Sequence, residues 1–437
     1  MKKLVFALLA VSGVMFTSCD SDDDDMPNQV ATCNDNIQNG DETGVDCGGS
    51  ACSPCVTALE IPATYMFTRE GESTVSFSGQ TTRLLMANEI LSKFKDETST
   101  EAQIAAMYDH QEGAADFEDA DLNASDKQVR NKTAGSYFFS QVAPSIASIS
   151  IKADFDGYIA EQVADVFPSW NQVAAEGMAG QLTDGSSTRY VNGKGLELDQ
   201  AFNKGLIGAF VTDQILNNYT NPNLLAQFEE ANDAGTLVEG KTYTDMEHDW
   251  DEAYGYAFGV VADTEDPIAD IDALDATDKF LAKYIKRVEN DPTFAGTAEK
   301  IFDAFKAGRT AIVNKDYEER DAQADILRAE IAKVIAVRAV FYLQAGKSKL
   351  AGAEPGDTFH DLSEGYGFIY SLQFLRRPGT GAEFYFSSND VIGFLDTIYT
   401  NLANGFWDVT ATELDTVSEA IAAEFDFTVA DAADSSN

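Results

Sequence analysis

The sequence predicts an all-α protein: an internally duplicated helical bundle, with a short β-hairpin opening its main domain and a small Cys-rich module ahead of it. Three observations carry this reading. From Ser78 onward apolar residues recur at helical spacing. Connections rich in Gly, Asp and Pro, such as Asn290-Asp291-Pro292, separate the periodic stretches. Two distant stretches also share one signature, His248-Asp249-x-x-Glu252-x-Tyr254-Gly255-Tyr256 and His360-Asp361-x-x-Glu364-x-Tyr366-Gly367-Phe368. Self-similarity at long spacing marks a repeated unit.

The elements follow in chain order. Met1-Lys2-Lys3 and the apolar run Leu4 to Phe16 read as a secretory signal over residues 1–18. Thr17-Ser18-Cys19 resembles the lipobox of bacterial lipoproteins, which implies cleavage before Cys19 and acylation of its thiol, with the acyl chains anchoring the protein to a membrane. The acidic run in residues 19–31 reads as a solvated tether, and Ser21-Asp22-Asp23-Asp24 just after the Cys looks like the export signal of Bacteroidetes surface lipoproteins. The expected location is the outer membrane, facing the exterior.

Residues 32–56 hold Cys33, Cys47, Cys52 and Cys55. In an oxidising compartment they read as two disulfides of open connectivity. A zinc knuckle built on Cys52-x-x-Cys55 is the rival. Asp35, Asp41 and Asp46 offer oxygens for a calcium ion, although turn and solvent roles suit such Asp/Asn/Gly-rich sequence better.

The main domain spans 57–427, with pseudo-repeat halves at about 78–290 and 291–427 and a polar tail over 428–437. Tyr65–Arg69 and Thr74–Phe77 alternate as hairpin strands around Glu70-Gly71-Glu72. Helices fit Gln80–Phe94, Glu101–Tyr108, Phe155–Val166, Leu198–Asn217, Met246–Val260, Lys279–Val288, Ala298–Val313, Ala322–Ala345, Phe359–Leu375, Val391–Leu402 and Ala411–Phe425.

Composition excludes some functions. Lys and Arg number 30 against 73 Asp and Glu, for a net charge of −43, so phosphates are repelled and nucleic acid is not a partner. His-Glu-x-x-His, Gly-x-Ser-x-Gly, phosphate-loop and dinucleotide motifs are all missing. Ser92-x-x-Lys95 matches a serine-acylase pattern with no partner motif, and His110 reads as a cation at a helix end.

The repeated signature is the main candidate site. On a helix each His and its Glu share a face four residues apart, each His falls in a first turn, and each internal Gly costs about 0.5–1 kcal/mol unless two helices cross closely there. Crossing the two copies at Gly255 and Gly367 would join His248, Glu252, His360 and Glu364 into a ligand set that Zn²⁺ or iron accepts, with Glu247, Asp251, Tyr254 and Tyr366 around it. In the plainer reading each His-Glu pair is a buried hydrogen bond that fixes a helix crossing.

Tyr65-x-Phe67-x-Arg69-x-Gly71, Gly79-Gln80, Lys204-Gly205-Leu206-Ile207-Gly208 and Met246-Glu247-His248-x-Trp250-Asp251-Glu252-Ala253-Tyr254-Gly255 resemble an uncharacterised Bacteroidetes surface-lipoprotein family, distantly imelysin-like. The resemblance implies a helical, duplicated fold and a role beside imelysin-like proteins and outer-membrane receptors of iron supply. The chain departs from the imelysin Gly-x-His-x-x-Glu motif, because Asp251 stands three residues after His248 and Glu252 one further. The leading expectation is a non-enzymatic ligand- or metal-binding accessory in iron or haem acquisition. The alternatives are a metal-dependent hydrolase using Glu252 or Glu364 as general base, and a SusD-like glycan-binding lipoprotein.

Overall fold

The structure, a computed structural model, describes residues 32–35, 37–53, 59–143, 145–352, 354–379 and 383–433. The signal sequence, Cys19, the acidic tether and Cys55 lie outside them. The chain divides into two units, residues 1–58 and 59–437.

In the first unit Cys33 and Cys52 form a disulfide with Cα atoms 5.4 Å apart, and Cys47 is disulfide-bonded as well. This removes the zinc-knuckle reading for those three residues, since zinc needs free thiolates. Asp46 Oδ1 accepts from the Asp35 amide at 2.8 Å, and Asp41 Oδ2 from the Ser50 amide at 2.8 Å, so these carboxylates hold the loop's own backbone.

The second unit opens with a hairpin shorter than predicted, β1 (Thr68–Arg69) and β2 (Glu72–Ser73), with Thr68 opposite Ser73. Glu70 and Gly71 both take positive φ, as a two-residue hairpin loop requires. The flanking residues leave the ladder because Tyr65 and Phe67 turn into the core. A second hairpin, β3 (Gly180–Asp184) and β4 (Ser187–Val191), was not anticipated, although Asp184-Gly185 is a turn signal.

The principal helices are α1 (Ser78–Lys93), α2 (Glu101–Tyr108), α3 (Ser145–Glu161), α4 (Leu198–Leu206), α5 (Asp245–Phe258), α6 (Leu281–Glu289), α7 (Thr297–Asn314), α8 (Tyr317–Lys349), α9 (Pro355–Ser371), α10 (Ser388–Leu395), α11 (Ala411–Ala422) and α12 (Val429–Ala433). α4 runs on in π-helical turns over Ile207–Tyr219. Three differences from expectation have local causes. α3 starts ten residues early, its first turns bearing the exposed Ile146 and Ile149, which blurred the apolar stripe. α9 starts at Pro355, which suits a first helical position and moves His360 into the second turn. In the expected polar tail, residues 429–433 form α12 and bury Ala432.

α8 is the central helix, with Ile331, Val334, Ile335, Val337, Val340 and Leu343 fully buried. α7 and α9 pack beside it, α9 packs in turn on α4, and α5 lies against α1, α7 and the π-helical turns after α4. The halves 78–290 and 291–427 are therefore not separate bodies, because α4 pairs with α9 and α5 with α7 across the supposed boundary.

The repeat is real but is built differently from the expected crossing of the two signature helices. A Cβ on Gly255 would lie 2.4 Å from Phe77 Cβ, so α5 crosses the start of α1 there. A Cβ on Gly367 would lie 2.4 Å from Lys204 Cβ, so α9 crosses α4. Four residues along each pair the match continues: Gly259 meets Thr81, and Ser371 meets Gly208. The duplicated unit is thus a two-helix crossing, present once as α1 with α5 and once as α4 with α9.

Gly255→Ala and Gly367→Ala should each lower stability by about 1–3 kcal/mol through overpacking, despite the gain in helix propensity. Gly157→Ala in α3, where a Cβ meets nothing within 4 Å, should raise it by up to about 1 kcal/mol. Urea unfolding of the three variants decides this, and destabilisation by all three would remove the crossing as the cause.

Candidate functional site

The first signature divides its side chains between two faces of α5. Thr244 caps the helix in a capping box with Glu247, which places His248 at the end of the first turn. Glu247 and Asp251 do not surround His248; they point to buried Arg309 of α7. Arg309 Nη1 donates to Glu247 at 3.2 Å, its Nε to Asp251 Oδ1 at 3.0 Å, and its Nη2 to Thr74 at 3.1 Å. Arg69 adds a fork onto Glu247 at 2.8 and 3.0 Å, and Tyr65 donates to Asp251 at 2.8 Å. Burial pushes Asp251 up to about 6 against the pull of Arg309, whereas the two guanidiniums beside Glu247 outweigh its burial and hold its pKa low. Tyr254 stacks flat on Tyr65 and donates to the Thr264 carbonyl. This face is a structural clamp.

On the other face His248 Nε2 lies 3.8 Å from Glu252 Oε1, which also accepts from Gln80 Nε2 at 2.6 Å. The His248 ring stacks on Tyr243. Burial, then the Glu252 charge, pushes Asp249 up to about 8.

The second signature has different partners. His360 Nδ1 is 3.1 Å from Glu197, and Glu364 Oε1 is 3.0 Å from Lys204 Nζ. Asp361 pairs with Lys349 at 2.6 Å. Tyr366 packs edge-on against Tyr399. Burial opposes ionisation of Glu364, but Lys204, with His360 and Lys283 behind it, outweighs that and holds the carboxyl well below its usual range. A carboxylate so acidic is a poor general base.

The four expected metal ligands therefore fall at two places. Among the described residues no three of His248, Glu252, His360 and Glu364 bring ligand atoms within 4.8 Å of one another. The sole group of three or more His, Cys, Asp or Glu that does so is Cys33, Glu42 and Cys52, where both sulfurs are in a disulfide. The shared Zn or Fe centre does not form, because each signature helix crosses a different partner.

What the second copy does form is a cleft of about 580 Å³ between the end of α1, α4, α6 and α9. Lys95, Arg189, Lys204, Lys279, Lys283 and His360 line it against two acids, Asp199 and Glu364. Lys95 pairs with Asp199 at 3.4 Å, Lys204 with Glu364, and Arg189 with Asp184 at 2.6 Å. Lys283 makes no ion pair among the described residues; burial, then Lys204, pushes it down to about 8. Burial works against charge on His360 too, but the Glu197 bond and the fields of Glu197 and Glu364 prevail and raise its pKa. Ser92 lines the same cleft, where its hydroxyl donates to the Glu89 carbonyl, which leaves the acylase pattern without an activated nucleophile. His110, just past the end of α2, is buried with its Nδ1 2.7 Å from Asp116.

These cations are scattered in the sequence, coming from β4, α4, α6, α9 and the loops beside α1 and α6. One signal was available: Lys204 stands inside the apolar run Leu206-Ile207 and Ala201-Phe202, where a lysine needs a buried partner.

Fold and site together define a helical protein built on a repeated two-helix crossing, with a basic cleft at its second copy. The chain belongs to the family described as a domain of unknown function (DUF4856), whose model matches residues 62–428. No curated protein and no solved structure matches it.

Arg309→Met should cost about 3–5 kcal/mol, since it leaves buried Asp251 without its cation and Glu247 with Arg69 alone. Lys93→Met, which removes an exposed pair with Glu118, should cost under about 1 kcal/mol. Chemical denaturation of both compares them, and equal effects would show that the Arg309 clamp carries no special weight.

Proposed function

We propose that the chain is a lipid-anchored protein of the cell exterior that binds a small anionic ligand in the cleft between α4 and α9, without chemically altering it, as an accessory to iron or haem acquisition. One observation carries the binding part: a chain with 30 basic residues among 73 acidic ones gathers five of them, with His360, around one cleft. Three of the five already pair with carboxylates, but Lys279 and Lys283 have no ion pair among the described residues, and a bound anion would offset their repulsion with Lys204. The volume is that of a small-molecule site. The lipobox-like Thr17-Ser18-Cys19 and the acidic stretch after it support the location, and no helix among the described residues is long and apolar enough to cross a membrane. The iron link rests on the resemblance of Lys204–Gly208 and Met246–Gly255 to an uncharacterised surface-lipoprotein family whose members sit beside imelysin-like proteins and outer-membrane receptors of iron supply. In that setting a carboxylate-bearing chelate or a haem, through its propionates, matches the charge of the cleft.

Isothermal titration of the full chain with acetate, phosphate, citrate and haem should give saturable binding of at least one of them. Lys283→Met should weaken that binding about tenfold or more, the worth of one charge-assisted hydrogen bond. Failure of all four to bind would overturn the reading.

Affinity should also rise as pH falls from 9 to 6. Lys283, at about 8, and His360, with its raised pKa, both gain their proton and positive charge over that window, and an anion favours the protonated forms. Affinity that is flat or rises with pH would exclude these two groups from the site.

A further inference from the structure

The cleft is not lined by cations alone. Oε1 of Gln200, Oδ1 of Asn203 and Oδ1 of Asn88 are all buried without a hydrogen-bond partner in the protein, and all three residues line the cleft. Gln200 and Asn203 belong to α4, one helical turn apart, and are only 7% and 8% exposed. The orientation of two of the amides is settled by their nitrogens. Gln200 Nε2 donates to Asp199 at 2.8 Å and Asn88 Nδ2 to the Thr277 carbonyl at 3.4 Å, so the oxygens are the free atoms.

A buried carbonyl oxygen without a donor is costly, and few occur in a native protein. Several in one cleft point to a ligand that supplies the donors. A simple carboxylate such as acetate has none to give. A ligand that satisfies lysines and amide oxygens together carries a negative group and, a few atoms away, hydroxyl groups.

We propose that the ligand of this cleft is a hydroxycarboxylate: its carboxylate meets Lys204 and Lys283, and its hydroxyls donate to the Gln200, Asn203 and Asn88 oxygens. This rests on the reading of the cleft as an anion site and narrows it. The same chemistry is found in a sugar acid and in a hydroxylated polycarboxylate, and the two are separated by the probes used.

The test is titration of the full chain at pH 6.5 with glucuronate and citrate, against acetate, phosphate and glucose. Glucuronate or citrate should bind about tenfold or more tightly than acetate, since a site built for a hydroxyl discriminates strongly against the analogue lacking it, and phosphate, whose own P–OH groups can donate, should fall between them. Glucose should fail for want of charge. The stronger of the two acids names the source. Asn203→Leu should weaken the hydroxycarboxylate about tenfold and leave acetate unchanged, whereas Lys283→Met weakens both. Asn88→Ala, at a half-buried position, repeats the test should Asn203→Leu not fold. Equal binding of acetate and the hydroxy acids, or equal loss of both in the amide variants, overturns the hydroxyl contacts while the anion site stands. No binding by any acid overturns both.

Discussion

Two glycines set the geometry from which the rest follows. At Gly255 and Gly367 another helix comes within about a methyl group of the backbone, so that no side chain fits between. This fixes which residue of the crossing helix can reach the Glu three positions earlier. In the first copy it is Gln80 to Glu252, and in the second Lys204 to Glu364. The two partners stand one turn apart in the register, Lys204 at the place of Phe77 and Gln80 at the place of Ile207, so one Glu meets a neutral amide and the other a lysine.

That difference extends outward from each crossing. Around the first copy the acids Glu247 and Asp251 are matched by Arg309 and Arg69 in a buried lattice that ties the hairpin, α5 and α7 together. Buried pairs of this kind give little net stability when complete and cost much when broken, so the first copy is committed to holding the fold. Around the second copy the cations outnumber the acids and sit at an open cleft. One helix pair has become scaffold, and its counterpart has kept solvent access and unbalanced charge, the conditions under which a polar site binds something else.

Much of the architecture was legible in the sequence, because helices of ten or more residues announce themselves by periodicity and because the signature repeats nearly residue for residue. What was not legible is which helix each copy crosses. Phe77-Ser78-Gly79-Gln80 and Lys204-Gly205-Leu206-Ile207 have little in common as strings, since the crossing asks only for close backbone approach at one point. The expectation that the two histidines meet came from placing the copies against each other, a choice sequence spacing cannot make. Glu247 and Asp251 looked like neighbours of His248 by position, yet their i and i+4 places direct them to the opposite face, toward an arginine some sixty residues later. The cleft was hidden for the same reason: Lys95, Arg189, Lys204, Lys283 and His360 converge only after folding.

The central claim is that the second copy of the signature, and not the first, faces a ligand. The chain has 3 histidines, His110, His248 and His360, so the ring Cε1–H resonances of a labelled sample report one from each region. Titrating glucuronate or citrate while following these three signals tests the claim directly. The His360 signal should shift and its titration midpoint rise as the anion binds, with His110 and His248 unmoved. A His360 signal that stays fixed at saturating acid, or a His248 signal that moves in step with it, would contradict it.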